Sequence, residues 1–137
     1  MTGKRSRKPS TRPKKDQASE VGECLGSIEA LYGRVPLVPE ILSQRPDIFL
    51  PYFQFSNAVL LHPKHLDRKT LELAAVAAGS ALASEHCLSV HLDQARAAGA
   101  SQDEILEAIM VGAFMTMSRS QSVALRSFKA MEPKEQG

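Results

Sequence analysis

Residues 67–117 read DRKTLELAAVAAGSALASEHCLSVHLDQARAAGASQDEILEAIMVGAFMTM, and the punctuation of this stretch decides the fold. Asp67 stands where it can cap a helix over RKTLELAAVAAGSALA, because a short acceptor side chain satisfies the N–H groups that the first turn leaves unpaired. Ser84 can cap a second helix, EHCLSVHLDQARAA, and Gly99 is suited to end it by taking a left-handed conformation. Ser101 and Glu104 then form a capping box ahead of ILEAIMVGAFMTM, and a last amphipathic segment runs from about 119 to 131. No segment alternates as a strand does, so the fold class is all-α.

Working outward toward the N-terminus, Val21, Cys24, Leu25, Ile28 and Leu31 recur at the spacing of one helix face, and Gly33 ends that helix before Pro36. Pro36, Pro39, Pro46 and Pro51 punctuate the chain between that helix and residue 61. They predict a short helix near 38–44, a break, and another helix through Tyr52 to Leu61.

Composition sets the outer limits. The chain has 137 residues, 43% hydrophobic and 23% charged, with a formal charge of +2, which is one domain of ordinary globular make-up. No apolar run approaches the length of a membrane helix, and no hydrophobic segment comes after the basic N-terminus, so a cytoplasmic protein without membrane contact is expected. Two cysteines, Cys24 and Cys87, are too few for a disulfide scaffold. Residues 1–16 carry seven cations against Asp16 alone, a net +6, which leaves the other 10 cations and 14 anions at −4. The expected organisation is a basic, disordered tail over 1–17, one domain over 18–132 and a flexible C-terminus over 133–137. Such a tail attracts polyanions, but it has no aromatic residue to stack on a base, and a solvated tail without a nucleic-acid partner is the favoured expectation.

Two of the predicted helices are apolar around most of their circumference. Glu72 is the only charge between Leu71 and Ala83, and there is none between Ala108 and Met117. A small domain buries a limited share of its surface, so homo-oligomerisation is expected to cover them; the alternative is a monomeric bundle whose other helices do so.

The same helices carry the chemistry. A carboxylate in an Ala-rich helix that seeks burial needs a partner. If the first two helices after Asp67 run antiparallel, Glu72 lies about 15 Å back from their turn and His91 about 10 Å beyond it, within reach of each other directly or through one water. Glu72 on a narrow polar strip facing solvent is the alternative. Cys87 precedes His91 by one turn and shares its face, in a first helical turn whose N–H groups favour a thiolate. The bland reading is a small buried hydrophobe beside a satisfied core histidine.

Written out, the pattern is Glu72, eleven residues, Ser84-Glu85-His86-Cys87, three residues and His91, and then LDQARAAGASQDEILEAI. This resembles the carboxymuconolactone decarboxylase superfamily, which includes the alkylhydroperoxidase D-like proteins, over roughly Leu66 to Phe114; GRVPLVPEIL and LDRKTLEL resemble it as well. The resemblance implies an all-α domain assembled as a homo-oligomer, a trimer or a hexamer built from dimers. The redox branch of that superfamily carries Glu-x11-Cys-x2-Cys-x3-His and cycles a disulfide between its two cysteines, with the Glu and His as a proton relay. Matched residue by residue, Glu72, Cys87 and His91 are the relay carboxylate, thiol and imidazole. Ser84 stands where the first cysteine would be and cannot form that bond, so an external thiol reductant would have to resolve an oxidised Cys87. The substrate would be a hydroperoxide.

The decarboxylase branch resembles the same stretch differently, through a REHE…H type of sequence that Glu85-His86 and His91 reproduce. That branch performs acid–base chemistry on a carboxylated lactone without metal, cofactor or disulfide; His91 and His86 would move protons, and Arg68, Lys69 or Arg96 would have to hold the substrate carboxylate. A non-catalytic oligomeric scaffold with a polyanion-binding tail is the third reading. No cofactor is expected. His62 and His65 lack the carboxylate spacing or third local ligand of a metal site, and Cys24, on the apolar stripe of its helix, reads as core packing.

Overall fold

The computed structural model describes residues 14–131, and it forms six α-helices with no strand among the described residues. The chain is all-α, as expected. It divides into two compact units, one up to Lys64 and one from His65.

The first unit contains α1 (Lys14–Tyr32), α2 (Leu37–Leu42) and α3 (Pro46–Ser56), and α3 runs on into one π-helical turn, Asn57–Leu61. The α1 helix begins slightly ahead of the expected start, so residues 14–17 of the predicted tail are helical. Residues 1–13 and the predicted C-terminal segment 133–137 lie outside the described residues. The predicted apolar face of α1 forms the core: Val21 and Ile28 are buried with Phe49 and Leu61, while Cys24, Leu25 and Leu31 pack against them. Gly33 ends α1 at a φ of +70°, a backbone conformation that costs a side chain steric strain and glycine almost nothing.

The helix expected over Tyr52 to Leu61 starts earlier and has two parts. Pro46 takes its first turn, where a missing N–H costs nothing, and Pro51 lies inside the helix. Pro51 removes the one bond that its N–H would give to the Asp47 carbonyl, and Asp47 is exposed, so water can satisfy that oxygen.

The second unit is α4 (Arg68–Ala81), α5 (Glu85–Ala97) and α6 (Gln102–Lys129). The α4 helix packs along both others, and Val76, Ala95 and Ile105, one from each helix, form the buried core with Leu73, Leu88, Leu92, Ala108 and Ile109 around it. A Cβ built on Gly112 would overlap the carbonyl oxygen of Ala77, so glycine is what lets α6 lie directly against α4. Ser80 Oγ donates to the Ile109 carbonyl at 3.0 Å and Thr116 Oγ1 to the Ala81 carbonyl at 3.1 Å across the same seam.

The segment expected as two elements, 105–117 and 119–131, is one continuous helix. Ser118, Arg119 and Ser120 lack the glycine or proline that would break it, and Lys129 and Arg126 suit its C-terminal end. Beyond Ser118 every described residue of α6 is exposed, and Val123, Leu125 and Phe128 stand in solvent at 54%, 62% and 65% of their full exposure.

Candidate active site

The three predicted caps set the frame of the second unit. The Asp67 carboxylate accepts from Thr70 N and Thr70 Oγ1, both at 2.9 Å, which starts α4 so that Arg68 and Glu72 stand one turn apart. Ser101 and Glu104 exchange both bonds of the capping box, at 3.1 and 2.8 Å, and Lys69 Nζ reaches the same Glu104 carboxylate at 2.8 Å.

Both ends of α5 have the same chemistry. The α4 helix stops in a Schellman motif, with Ser84 N donating to Gly79 O and Ala83 N to Ser80 O, and α5 stops in another, with Ala100 N on Ala95 O and Gly99 N on Arg96 O. The left-handed residue of the second motif is Gly99, at a φ of +85°; in the first it is Ala83, at +50°. Ser84 therefore closes α4 with its N–H and caps α5 with its hydroxyl, whose oxygen lies 3.4 Å from Cys87 N. The structure thus gives Ser84 a part in the turn that fixes where Cys87 stands.

Gly79 is the second element of that turn. A Cβ there would come within 3.3 Å of Leu88 and 3.7 Å of the Cys87 Cβ, so the small residue brings α5 down onto α4 beside the cysteine. This close approach brings Glu72 and His91 together. The Glu72 side chain is only 1% exposed, and its Oε2 lies 2.7 Å from His91 Nδ1. Its other oxygen, Oε1, accepts from Arg68 Nη1 at 3.0 Å. Solvent-facing Glu72, the alternative reading, is not what forms.

Burial pushes the Glu72 carboxyl up, but the hydrogen bonds from His91 and Arg68, reinforced by their charges, outweigh it and hold the group below its ordinary range. At neutral pH Glu72 is therefore an anion and can only accept. The proton between the two groups must then sit on His91 Nδ1, which makes Nε2 the nitrogen with the lone pair when the ring is neutral. An ionised carboxylate orienting an imidazole in this way prepares Nε2 to take up a proton and return it.

Cys87 is exposed, in the first turn of α5, one turn ahead of His91 on the same face. It is not the buried hydrophobe of the bland reading. Glu85 and His86 are exposed in the same turn, and the His86 carbonyl accepts from Ser89 Oγ at 2.9 Å. Cys24 belongs to the core of the first unit, where burial, reinforced by the nearby charges of Glu20 and Glu23, pushes its thiol up. His62 and His65 are exposed, and among the described residues no three His, Cys, Asp or Glu side chains are grouped to hold a metal ion. Two shallow grooves lie along α6, one of about 460 Å³ lined by Glu107, Met110, Val111, Phe114 and Met115, and neither includes Glu72, Cys87 or His91.

Arg68 is the member of the cluster that sequence reasoning does not assign. It enters the sequence reading only as a candidate clamp for a substrate carboxylate. Its four-residue lead on Glu72 is the spacing of an ion pair on a helix, and that signal is present in the sequence.

Three packed helices, with a carboxylate of one bonded to an imidazole of the next, make the second unit an all-α domain with a buried acid–imidazole pair. The family model described as carboxymuconolactone decarboxylase family matches residues 46–130, more than half of the chain, and the chain belongs to that family. The matched stretch begins at α3 and runs through the whole of α6, wider than the resemblance over Leu66 to Phe114. Comparison with curated proteins and with solved structures gives no match. The family includes decarboxylases and alkylhydroperoxidase D-type peroxidases, and no helix among the described residues is long and apolar enough to cross a membrane.

Proposed function

We propose that the chain is a thiol-dependent peroxidase that reduces small hydroperoxides through Cys87. The observation that carries this reading is the 2.7 Å bond between His91 Nδ1 and a buried, ionised Glu72, one turn along α5 from an exposed cysteine. In the first step His91 Nε2 takes the Cys87 proton and the thiolate sulfur attacks the terminal oxygen of the hydroperoxide. The O–O bond breaks, an S–O bond forms, and the leaving alkoxide takes the proton back from the imidazolium as an alcohol. Cys87 is then a sulfenic acid. With Ser84 in place of a second thiol, a small external thiol condenses with it to a mixed disulfide and water, and a second thiol molecule releases Cys87 as the thiol and leaves as the external disulfide.

The lactone decarboxylase reading needs a cation to hold the substrate carboxylate. Its three candidates are already engaged: Arg68 with Glu72 at 3.0 Å, Lys69 with Glu104 at 2.8 Å and Arg96 with Asp93 at 3.8 Å. His86 keeps its place in that reading as an exposed proton carrier but has no such anchor beside it.

Self-association belongs to the same proposal. Met110, Val111, Phe114 and Met115 on α6 are each 58–61% exposed, an apolar surface that a second copy of the chain would cover in a trimer or hexamer.

The test is hydroperoxide consumption with a small dithiol as reductant. Wild type turns over and Cys87→Ser falls to background, while Cys24→Ser keeps its rate. Turnover that survives Cys87→Ser would sink the proposal, and release of CO2 from a carboxylated lactone by that variant would move the function to the decarboxylase reading.

A further inference from the structure

Glu72 has two oxygens and a different partner on each. His91 holds Oε2, and Arg68 holds Oε1 from the same helix. The carboxylate is 1% exposed, Arg68 30% and His91 13%, so a buried anion is held between two partly exposed partners. A buried carboxylate with one cationic neighbour would donate its whole field to that neighbour. Here the field is shared between a permanently charged guanidinium and a titratable ring.

We propose that Arg68 is a positioning residue of the site, which holds the Glu72 carboxylate in the rotamer that meets His91 and takes up part of its charge, so that Nε2 of the oriented ring can accept a proton. Two consequences of the geometry support this. A guanidinium bond to Oε1 fixes the carboxylate plane, so Oε2 is not free to rotate away from Nδ1. An uncompensated carboxylate at 2.7 Å would stabilise the imidazolium, and a ring already protonated cannot serve as a base. The charged and titratable groups on the packed helices are Arg68, Lys69 and Glu72 on α4, Glu85, His86, Cys87, Asp93 and Arg96 beside His91 on α5, and Asp103, Glu104, Glu107, Arg119, Arg126 and Lys129 on α6; Lys69 and Glu104 pair at 2.8 Å and Arg68 reaches Glu72 at 3.0 Å. Among the described residues, the Glu72 carboxylate is hydrogen-bonded by Arg68 on Oε1 and by His91 on Oε2.

The mechanistic importance of this role rests on the reading of His91 as the proton carrier, but its test does not require activity. The His91 ring is titrated by NMR in the full chain, its signals assigned by their loss in His91→Gln. The variants are Arg68→Met, Arg68→Lys and Glu72→Gln, each checked for an unchanged helical circular dichroism spectrum. In Arg68→Met the His91 midpoint rises by about one pH unit, and Arg68→Lys recovers at least half of that shift. Glu72→Gln moves the midpoint the other way. A merely structural Arg68 would change melting temperature but leave the midpoint in place, and an unchanged midpoint in folded Arg68→Met overturns the proposal. Should that variant not fold, a midpoint in Arg68→Lys within about 0.1 unit of the Glu72→Gln value overturns it as well. A shifted midpoint with no peroxide turnover in wild type upholds the role of Arg68 and removes the peroxidase reading instead.

Discussion

Each of the two units places one cysteine on a helix, and they place it in opposite settings. Cys24 is on the apolar stripe of α1 beside Val21 and Ile28, where burial and then two neighbouring glutamates raise the thiol away from its reactive form. Cys87 is exposed at the start of α5, with a histidine one turn on and that histidine bonded to a buried anion. Among the described residues, the first unit buries no charged side chain, whereas Glu72 is buried in the second. A domain tolerates a buried charge only where partners reach it, and here the partners are a base and a guanidinium. The two sulfurs thus differ in what the fold sets beside them.

The sharpest way to break this contrast is to remove the base. His91→Asn should lower the rate of Cys87 oxidation by hydroperoxide about a hundredfold, in the range of general-base loss, with Cys24→Ser within about twofold of wild type. Rates from stopped-flow consumption of peroxide check both. Next comes assembly, which the second unit is expected to drive. Phe114→Asp, on the exposed groove of α6, should weaken self-association about tenfold or more, read as a fall in mass by analytical ultracentrifugation, since a charge at the centre of an apolar contact is left unpaired.

Acid should act on the second unit through Glu72. Its folded pKa lies below its unfolded value, so its contribution to stability is complete above about pH 4.3 and is lost as pH falls through the lower folded value. Between about pH 6 and pH 3, wild type should therefore lose more melting temperature than Glu72→Gln, and equal losses would mean the carboxylate gains nothing from its partners. The smallest effect concerns Ala83, which takes a left-handed conformation where its counterpart after α5 is Gly99. Ala83→Gly should stabilise the chain by up to about 1 kcal/mol, the relief of strain less the added chain entropy, seen as a rise of a few degrees in thermal melting.

Much of the second unit is legible in the sequence because its signals are local. Asp67, Ser84 and the Ser101–Glu104 box each act within one turn, and the left-handed Gly99 needs no tertiary context. The Glu72–His91 contact has the same local origin, since two capped helices joined by a tight turn fix which residues lie opposite. The proline-rich stretch is harder to read. A proline marks both a helix start and a tolerated interior site, and choosing between Pro46 and Pro51 depends on whether water reaches the Asp47 carbonyl. The division of α6 into two elements fails for a different reason. The polar run Ser118-Arg119-Ser120 reads as a boundary between two apolar segments, but without glycine or proline it carries the helix straight through. Arg68 reads as a substrate clamp because its role as the third member of a buried cluster depends on Glu72 already having a bond across to α5.

The contrast between the two cysteines also offers the most direct test of a site built on Cys87. One equivalent of hydroperoxide is added to wild type and to His91→Asn, sulfenic acid is trapped with a dimedone probe, and the label is located by peptide mass spectrometry. The expected result is label on Cys87 with Cys24 unmodified, and a marked loss of that label in His91→Asn. Label shared equally between the cysteines, or on Cys87 at the same rate without the histidine, would contradict a site built from Glu72, His91 and Cys87.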